Sequence, residues 1–301
     1  MATTPVIDMW APILPVGKIL EHAVAHFPKE MLGYLRTFYK TEPNLETFRA
    51  RAASIALSDE DMLAALDAAG IERTLITGFD EKTSVGMTWV ANEPIADFAA
   101  RYPDRFIPFA GIDVLSGMAG VRAVDHWIRE RGFKGVSLRP FMIGLPADDR
   151  RYYSIYAKCA DLGVPVSIHS SANWSTERRN DLGHPQHLEQ VAMDFPELTI
   201  IMSHGGYPWV LEAVLAVWKH PNLYLELAAH RPRYFGEPGT GWEPLMRFGQ
   251  STIADKVLFG TGSFLLGRPP KTLVDEFRAL PVKPAVMEQW LYGNAARVLR
   301  L

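Results

Sequence analysis

Two runs decide the fold: Gly163-Val164-Pro165-Val166-Ser167-Ile168-His169, and, after a helix-like interval, Leu198-Thr199-Ile200-Ile201-Met202-Ser203-His204-Gly205-Gly206. Each is short, rich in apolar and β-branched residues and not alternating, the pattern of a strand covered on both faces. Between them Pro185 to Phe195 reads as an amphipathic helix stopped by Pro196. Strand, helix, strand is the unit from which parallel sheets are built.

Working outward, the same unit recurs. Val6 to Trp10, Thr74 to Phe79, Phe106 to Asp113, Gly135 to Arg139, Leu223 to Ala229 and Val257 to Thr261 are six further candidate strands. The helices between them have readable ends. Ser58 with Asp61 resembles a capping box closed by Gly70, Gly117 to Arg131 ends at Gly132, and Asp148 to Leu162 ends at Gly163. Eight alternations predict an α/β protein, a (β/α)8 TIM barrel forming a single domain over residues 1–301. A doubly wound open sheet is the alternative; its dinucleotide-binding version lacks the Gly-x-Gly-x-x-Gly turn it requires.

The largest departure from a minimal barrel lies at residues 11–57, where Phe27, Met31, Tyr34, Leu35, Phe38 and Tyr39 fall at near-helical spacing. They pack an extra helix on the barrel, or form a cap insertion over its mouth. With 48% hydrophobic residues among 301, the chain can bury a large core. A net charge of −3 leaves no basic surplus, so no nucleic acid is expected as partner. The single cysteine, Cys159, lies in a helical run and excludes a disulfide framework. The start Met-Ala-Thr-Thr-Pro lacks the features of an export signal, and no apolar run approaches the ~20 residues of a membrane span, so a cytoplasmic protein with no membrane partner is expected.

Barrel enzymes carry their chemistry at the C-terminal ends of the strands. Here two adjacent candidate strands end in His169 and His204. One strand-end histidine is ordinarily a structural hydrogen-bonder; two on neighbouring strands weigh equally towards chemistry. Arg139 closes another strand and could hold a carboxylate in a bidentate fork, or pair with Asp148 or Asp149. Arg231, Arg233, Arg49 and Arg51 are weaker anion-binding candidates, and Asp80-Glu81-Lys82 reads as a solvated charge run. Trp10 either fills space at the barrel centre or lines a pocket for a flat substrate with Trp89, Tyr207, Trp209 and Trp174. His22, His26, His126, His184, His187 and His220 fall on helical stretches and read as solvated or packing residues.

The His169 and His204 segments, Gly163-Val164-Pro165-Val166 before the first, Gly205-Gly206-Tyr207-Pro208-Trp209 after the second, and Gly293-Asn294-Ala295-Ala296-Arg297 near the end resemble the amidohydrolase-related (amidohydrolase 2) family, in order and along the whole chain. That resemblance implies a hydrolase or carbon–carbon lyase akin to the family's decarboxylases, hydratases and lactonases, a small-molecule substrate and a homodimer. It also implies that the histidine matching His204 handles protons. The departures are informative. The family opens with Asp-x-His-x-His, where this chain has Asp8-Met9-Trp10-Ala11-Pro12, and closes its last strand with Gly-Ser/Thr-Asp, where this chain has Gly260-Thr261-Gly262. Of the four side chains that would hold a metal, His169 alone remains, and a zinc site needs three or four.

The resulting expectations are no cofactor, and His204 and His169 as catalytic residues acting on a small cyclic or aromatic carboxylate-like compound. Arg139, Trp10, Trp209, Glu226 and Arg49 are expected to bind the substrate. Two rivals stand beside this reading. One is a metal-dependent enzyme with substitute ligands such as Glu226, His230 or Asp113, and the other is a catalytically inactive ligand-binding barrel.

Overall fold

The computed structural model describes residues 4–10, 30, 32–33, 35–40, 44, 46–47, 50 and 58–301. Eight strands form one parallel sheet: β1 (Val6–Asp8), β2 (Ile71–Thr77), β3 (Phe106–Gly111), β4 (Gly135–Leu138), β5 (Val166–His169), β6 (Ile200–Ser203), β7 (Leu223–Glu226) and β8 (Val257–Leu258). They neighbour one another in chain order, as a barrel requires. All eight expected runs are strands. The edges meet just past the ladder, where Met9 N–H donates to Phe259 O at 2.9 Å and Gly262 N–H to Trp10 O at 3.0 Å.

A helix follows each strand: α1 (Asp59–Ala69), α2 (Asn92–Arg101), α3 (Met118–Arg129), α4 (Tyr153–Leu162), α5 (Pro185–Asp194), α6 (Val210–Lys219), α7 (Glu243–Phe248) and α8 (Pro270–Arg278). The expected signals set the ends of α1. Ser58 Oγ accepts from Asp61 N–H, and Gly70 closes the helix at a φ of 69°. The main core fills the space between strands and helices, whereas Ile7, Leu75, Phe109, Ile201 and Leu258 gather in a second cluster with Val298 and Leu299 of the last helical turn. Both faces of the sheet are therefore apolar, which is why the runs do not alternate. Cys159 is buried on α4. Among the described residues no helix is long and apolar enough to cross a membrane.

One element escaped sequence reading. Phe79–Glu81 and Met87–Val90 form an antiparallel hairpin between β2 and α2. Its base is held where Gly78 and Gly111 approach so closely that a Cβ on Gly111 would lie 2.5 Å from Gly78 backbone. Buried Asn92 seals that contact, donating to Gly111 O and accepting from Gly111 N–H, both at 2.9 Å. Asn92→Ala is therefore expected to lower stability by about 2 kcal/mol or more, because a buried N–H and C=O lose their partners together. Urea unfolding of the two proteins checks this, and equal midpoints would refute it.

The expected cap at 11–57 falls largely outside the described residues, as do Arg49, Arg51, His22, His26, Phe27, Met31 and Tyr34. Its described parts reach the loop after β5. Glu30 is buried 3.6 Å from Arg178, and Gly33 lies so near the Trp174 carbonyl that a Cβ there would have no room.

Candidate functional site

β5 and β6 pair in register with His169 opposite Ser203, so the histidines that end them come side by side, ring centroids 5.0 Å apart. Both rings are buried and both line a small hollow with Ser171, Ala172, Trp174, Tyr207, Ala229 and His230. Its walls are mostly aromatic and small apolar surface with a few polar groups, as in small-ligand sites.

His204 occupies a left-handed backbone conformation, φ 71°. Its Nδ1 lies 3.1 Å from Ala228 O, and because a carbonyl only accepts, the hydrogen sits on Nδ1. The neutral ring then has a bare Nε2. The edge of Trp10 meets the ring at 4.7 Å, packing its flank. Burial lowers the His204 pKa to about 4, against a smaller opposing effect of the Ala228 bond.

His169 differs: neither ring nitrogen has a hydrogen-bond partner, although both are buried. Phe141 packs on it at 4.6 Å. Burial first, then the charges of His204 and Arg139, hold its pKa well below the usual histidine range. Buried polar atoms are nearly always satisfied, so two unpartnered nitrogens on a residue that lines the hollow mark His169 as a group the fold itself does not use. His230, partly buried beside Tyr207 and Trp242, is lowered to about 3, by burial first and by His204 second.

These depressed values predict a loss of stability in acid. A histidine held neutral in the folded protein contributes stability that is full above its unfolded value of 6.5 and lost as pH falls through the folded value. For His204 alone the window from 6.5 to about 4 is worth about 3 kcal/mol. Denaturant titrations of wild type and His204→Asn at pH 7 and pH 4.5 should show the variant losing less on acidification; equal losses would refute this.

Glu226, expected to bind substrate, lies behind the hollow rather than in it. It is fully buried and takes two backbone N–H groups, His204 at 3.2 Å on Oε2 and Ala228 on Oε1. Burial pushes its pKa up to about 8; the two N–H bonds act downward and Asp8 upward. A Cβ at position 260 would lie 2.1 Å from its Oε1, so the glycine of Gly260-Thr261-Gly262 makes room for this carboxyl. Asp8 is also consumed internally, accepting from Thr261 Oγ1 at 2.6 Å, Thr261 N–H at 2.8 Å and Trp10 N–H at 3.1 Å.

The expected anion clamp has a partner within the chain. Arg139 grips Glu81 in a bidentate fork, Nε to Oε1 at 2.8 Å and Nη2 to Oε2 at 2.7 Å, and its guanidinium stacks 3.8 Å above Phe79. Neither Asp148 nor Asp149 takes that place. Glu81 is 4% exposed, so Asp80-Glu81-Lys82 is no solvated run: the hairpin turns its middle residue inward. Trp209 stands apart from the hollow, its ring 4.8 Å from His184. Trp89 is buried against Phe79. Arg231 is paired with Glu276, Arg233 donates to the Tyr234 hydroxyl, and Asp113 accepts from Thr83 and Leu115. Of the expected residues, then, His169, His204 and Trp10 come together, and Trp174, Tyr207 and His230 join them.

Known proteins bear on this site. The chain is 25% identical over 207 residues to γ-resorcylate decarboxylase of Rhizobium radiobacter and 26% identical over 170 residues to 2-keto-4-carboxy-3-hexenedioate hydratase of a Sphingobium species. Those matches cover 56% and 48% of this chain and span 60% and 49% of the relatives' own lengths. A decarboxylase and a hydratase agree with the expectation of a hydrolase or lyase. Among solved structures, an uncharacterised TIM-barrel protein of Bordetella bronchiseptica superposes with a TM-score of 0.76 at 29% identity, covering 98% of both chains. The 5-carboxyvanillate decarboxylase of Novosphingobium aromaticivorans, complexed with manganese and a nitrobenzoic acid, superposes with a TM-score of 0.69 at 18% identity over 99% of this chain and 96% of its own.

That manganese corrects the expectation of no cofactor. Manganese is also bound in the dihydroxybenzoic acid decarboxylase of a Polaromonas species, a second solved structure of this fold. His169 offers free nitrogens, but Asp8 is occupied by Thr261 and Trp10, and glycine stands at 262. Among the described residues no three His, Cys, Asp or Glu side chains are placed to hold an ion together. That donor set does not fit the group, and no chemical step is derived through it.

The eight-stranded parallel barrel, the histidines at the ends of its fifth and sixth strands and the order of motifs around them converge with a family model, Amidohydro_2 (amidohydrolase), that matches residues 7–301. The chain belongs to the amidohydrolase family.

Proposed function

We propose that the protein is a lyase or hydrolase acting on a small cyclic or aromatic acid, with His204 as the proton-transferring residue and His169 as the group that orients or polarises the substrate. One observation carries this reading: His169, with both nitrogens unpartnered, and His204, tethered through Nδ1, face the same hollow. A tethered neutral imidazole with a bare Nε2 is arranged to accept a proton from water or from a substrate hydroxyl. The depressed pKa keeps it in that form at neutral pH. Delivering a proton to carbon, as decarboxylation requires, is then a second step that returns the proton taken up in the first. Trp10, Trp174 and Tyr207 supply flat apolar surface near the histidines, which suits a ring.

The contact of Glu30 and Gly33 with the loop bearing Trp174 supports reading residues 11–57 as a cap over this hollow. A homodimer and a cytoplasmic location complete the reading. A sedimentation mass near twice that of one chain is expected, and the mass of a single chain would refute the dimer.

The test is turnover. Purified protein, with and without added manganese, is offered 2,6-dihydroxybenzoate and 5-carboxyvanillate with detection of released CO2, and 2-keto-4-carboxy-3-hexenedioate with detection of water addition. Turnover of one of these compounds that His204→Asn lowers by about 10²-fold or more is the expected result. No turnover of any of them, together with equal ligand affinity in wild type and variant, would leave an inactive binding barrel and overturn the proposal.

A further inference from the structure

Glu226 is the most enclosed carboxyl near the site and does not line the hollow, so direct contact with substrate is not its role. Its two oxygens are spent on two backbone N–H groups of different strands. Oε2 takes the N–H of His204, at the left-handed residue that ends β6; Oε1 takes the N–H of Ala228, just past the end of β7. The residue joined to the second N–H, Ala228, is the one whose carbonyl receives the His204 Nδ1 hydrogen. One carboxyl therefore fixes both ends of that bond: where the histidine backbone stands and where its acceptor stands.

From this geometry we infer that Glu226 is a positioning residue that sets the tautomer of His204, holding the hydrogen on Nδ1 and leaving Nε2 as the nitrogen available to a molecule in the hollow. The inference rests on the proposed role of His204 only for its purpose; the arrangement exists whether or not turnover is found. Two features fit this role. Gly260 gives the carboxyl its space, since a Cβ there would lie 2.1 Å from Oε1. Glutamine cannot replace it, because a carboxamide has one acceptor oxygen and would turn an NH2 group towards one of the two N–H donors. A histidine with a wrongly placed proton loses its function even when its position is kept, since Nε2 can accept only when it carries no hydrogen.

The experiment reads the ring directly. Protein labelled with [15N]histidine is examined by long-range proton–nitrogen NMR, with the His204 signals assigned by their disappearance in His204→Gln. Wild type is expected to show a single Nδ1–H, Nε2-bare tautomer for His204. Glu226→Gln, with circular dichroism matching wild type, is expected to show a mixture of tautomers or the Nε2–H form. A role confined to stability would lower the melting temperature and leave the tautomer unmoved, and that result overturns the inference. Should Glu226→Gln not fold, Gly260→Ala, whose Cβ would crowd Oε1, is read in the same way: a mixed or Nε2–H ring upholds the inference, and an unmoved Nδ1–H ring overturns it. Absence of turnover in the substrate panel beside a pure Nδ1–H ring would fail the proposed function and leave this inference standing.

Discussion

Turnover in His204→Asn is expected to fall by about 10²- to 10⁴-fold, the usual contribution of a positioned acid or base, while the protein remains folded. Asparagine is the informative replacement. It tolerates the positive φ of 71° at this position better than most residues, and its amide can donate to Ala228 O as Nδ1 does now. The backbone and the tether survive, and what disappears is the bare nitrogen. Steady-state kinetics on whichever substrate is turned over, with circular dichroism as control, separate the cases. A drop in kcat with an intact fold fits proton transfer, whereas kcat within a few-fold of wild type would remove His204 from the chemistry.

Arg139→Met is expected to act on stability rather than on substrate. The guanidinium is 6% exposed and Glu81 is 4% exposed, so removing one partner leaves an unpaired carboxylate in the interior, at a cost of about 3–5 kcal/mol. Burial already pushes the Glu81 pKa up, and Arg139 is the main influence opposing it. The double variant Arg139→Met with Glu81→Leu should recover much of the loss, because two apolar side chains against Phe79 and Trp89 need no partner. Urea unfolding of the three proteins measures this. A single variant as stable as wild type with a raised KM would instead restore Arg139 as an anion clamp.

The fold was legible because barrel strands announce themselves by continuous apolar runs with capped helices between them. The His169 and His204 runs, the Ser58 cap and the glycine at 70 are local signals that the tertiary structure had no reason to override. The hairpin at Phe79–Glu81 was not legible, because two short strands that interrupt a loop leave no periodicity, and charged Asp80-Glu81-Lys82 reads outward unless its partner is known. The site was half legible. Residues at strand ends can be named from sequence, but which of them meet the hollow depends on side-chain direction, and that sends Glu226 behind His204 and Arg139 to Glu81. His230, named from sequence only as a possible substitute ligand, is brought to the hollow by the turn at Ala229, whose φ of 65° is not encoded by a glycine. The expectation of no cofactor rested on missing ligand residues, and it is contradicted by decarboxylases of the same fold that hold manganese.

The central claim is that the hollow shared by His169 and His204 receives the substrate. Titrating [15N]histidine-labelled protein with 2,6-dihydroxybenzoate and following the ring signals tests it most directly. The His169 and His204 signals are predicted to move together and saturate, while His126 and His187, on outer helices, stay still. Saturable binding detected by calorimetry with both site histidines unmoved would contradict the account.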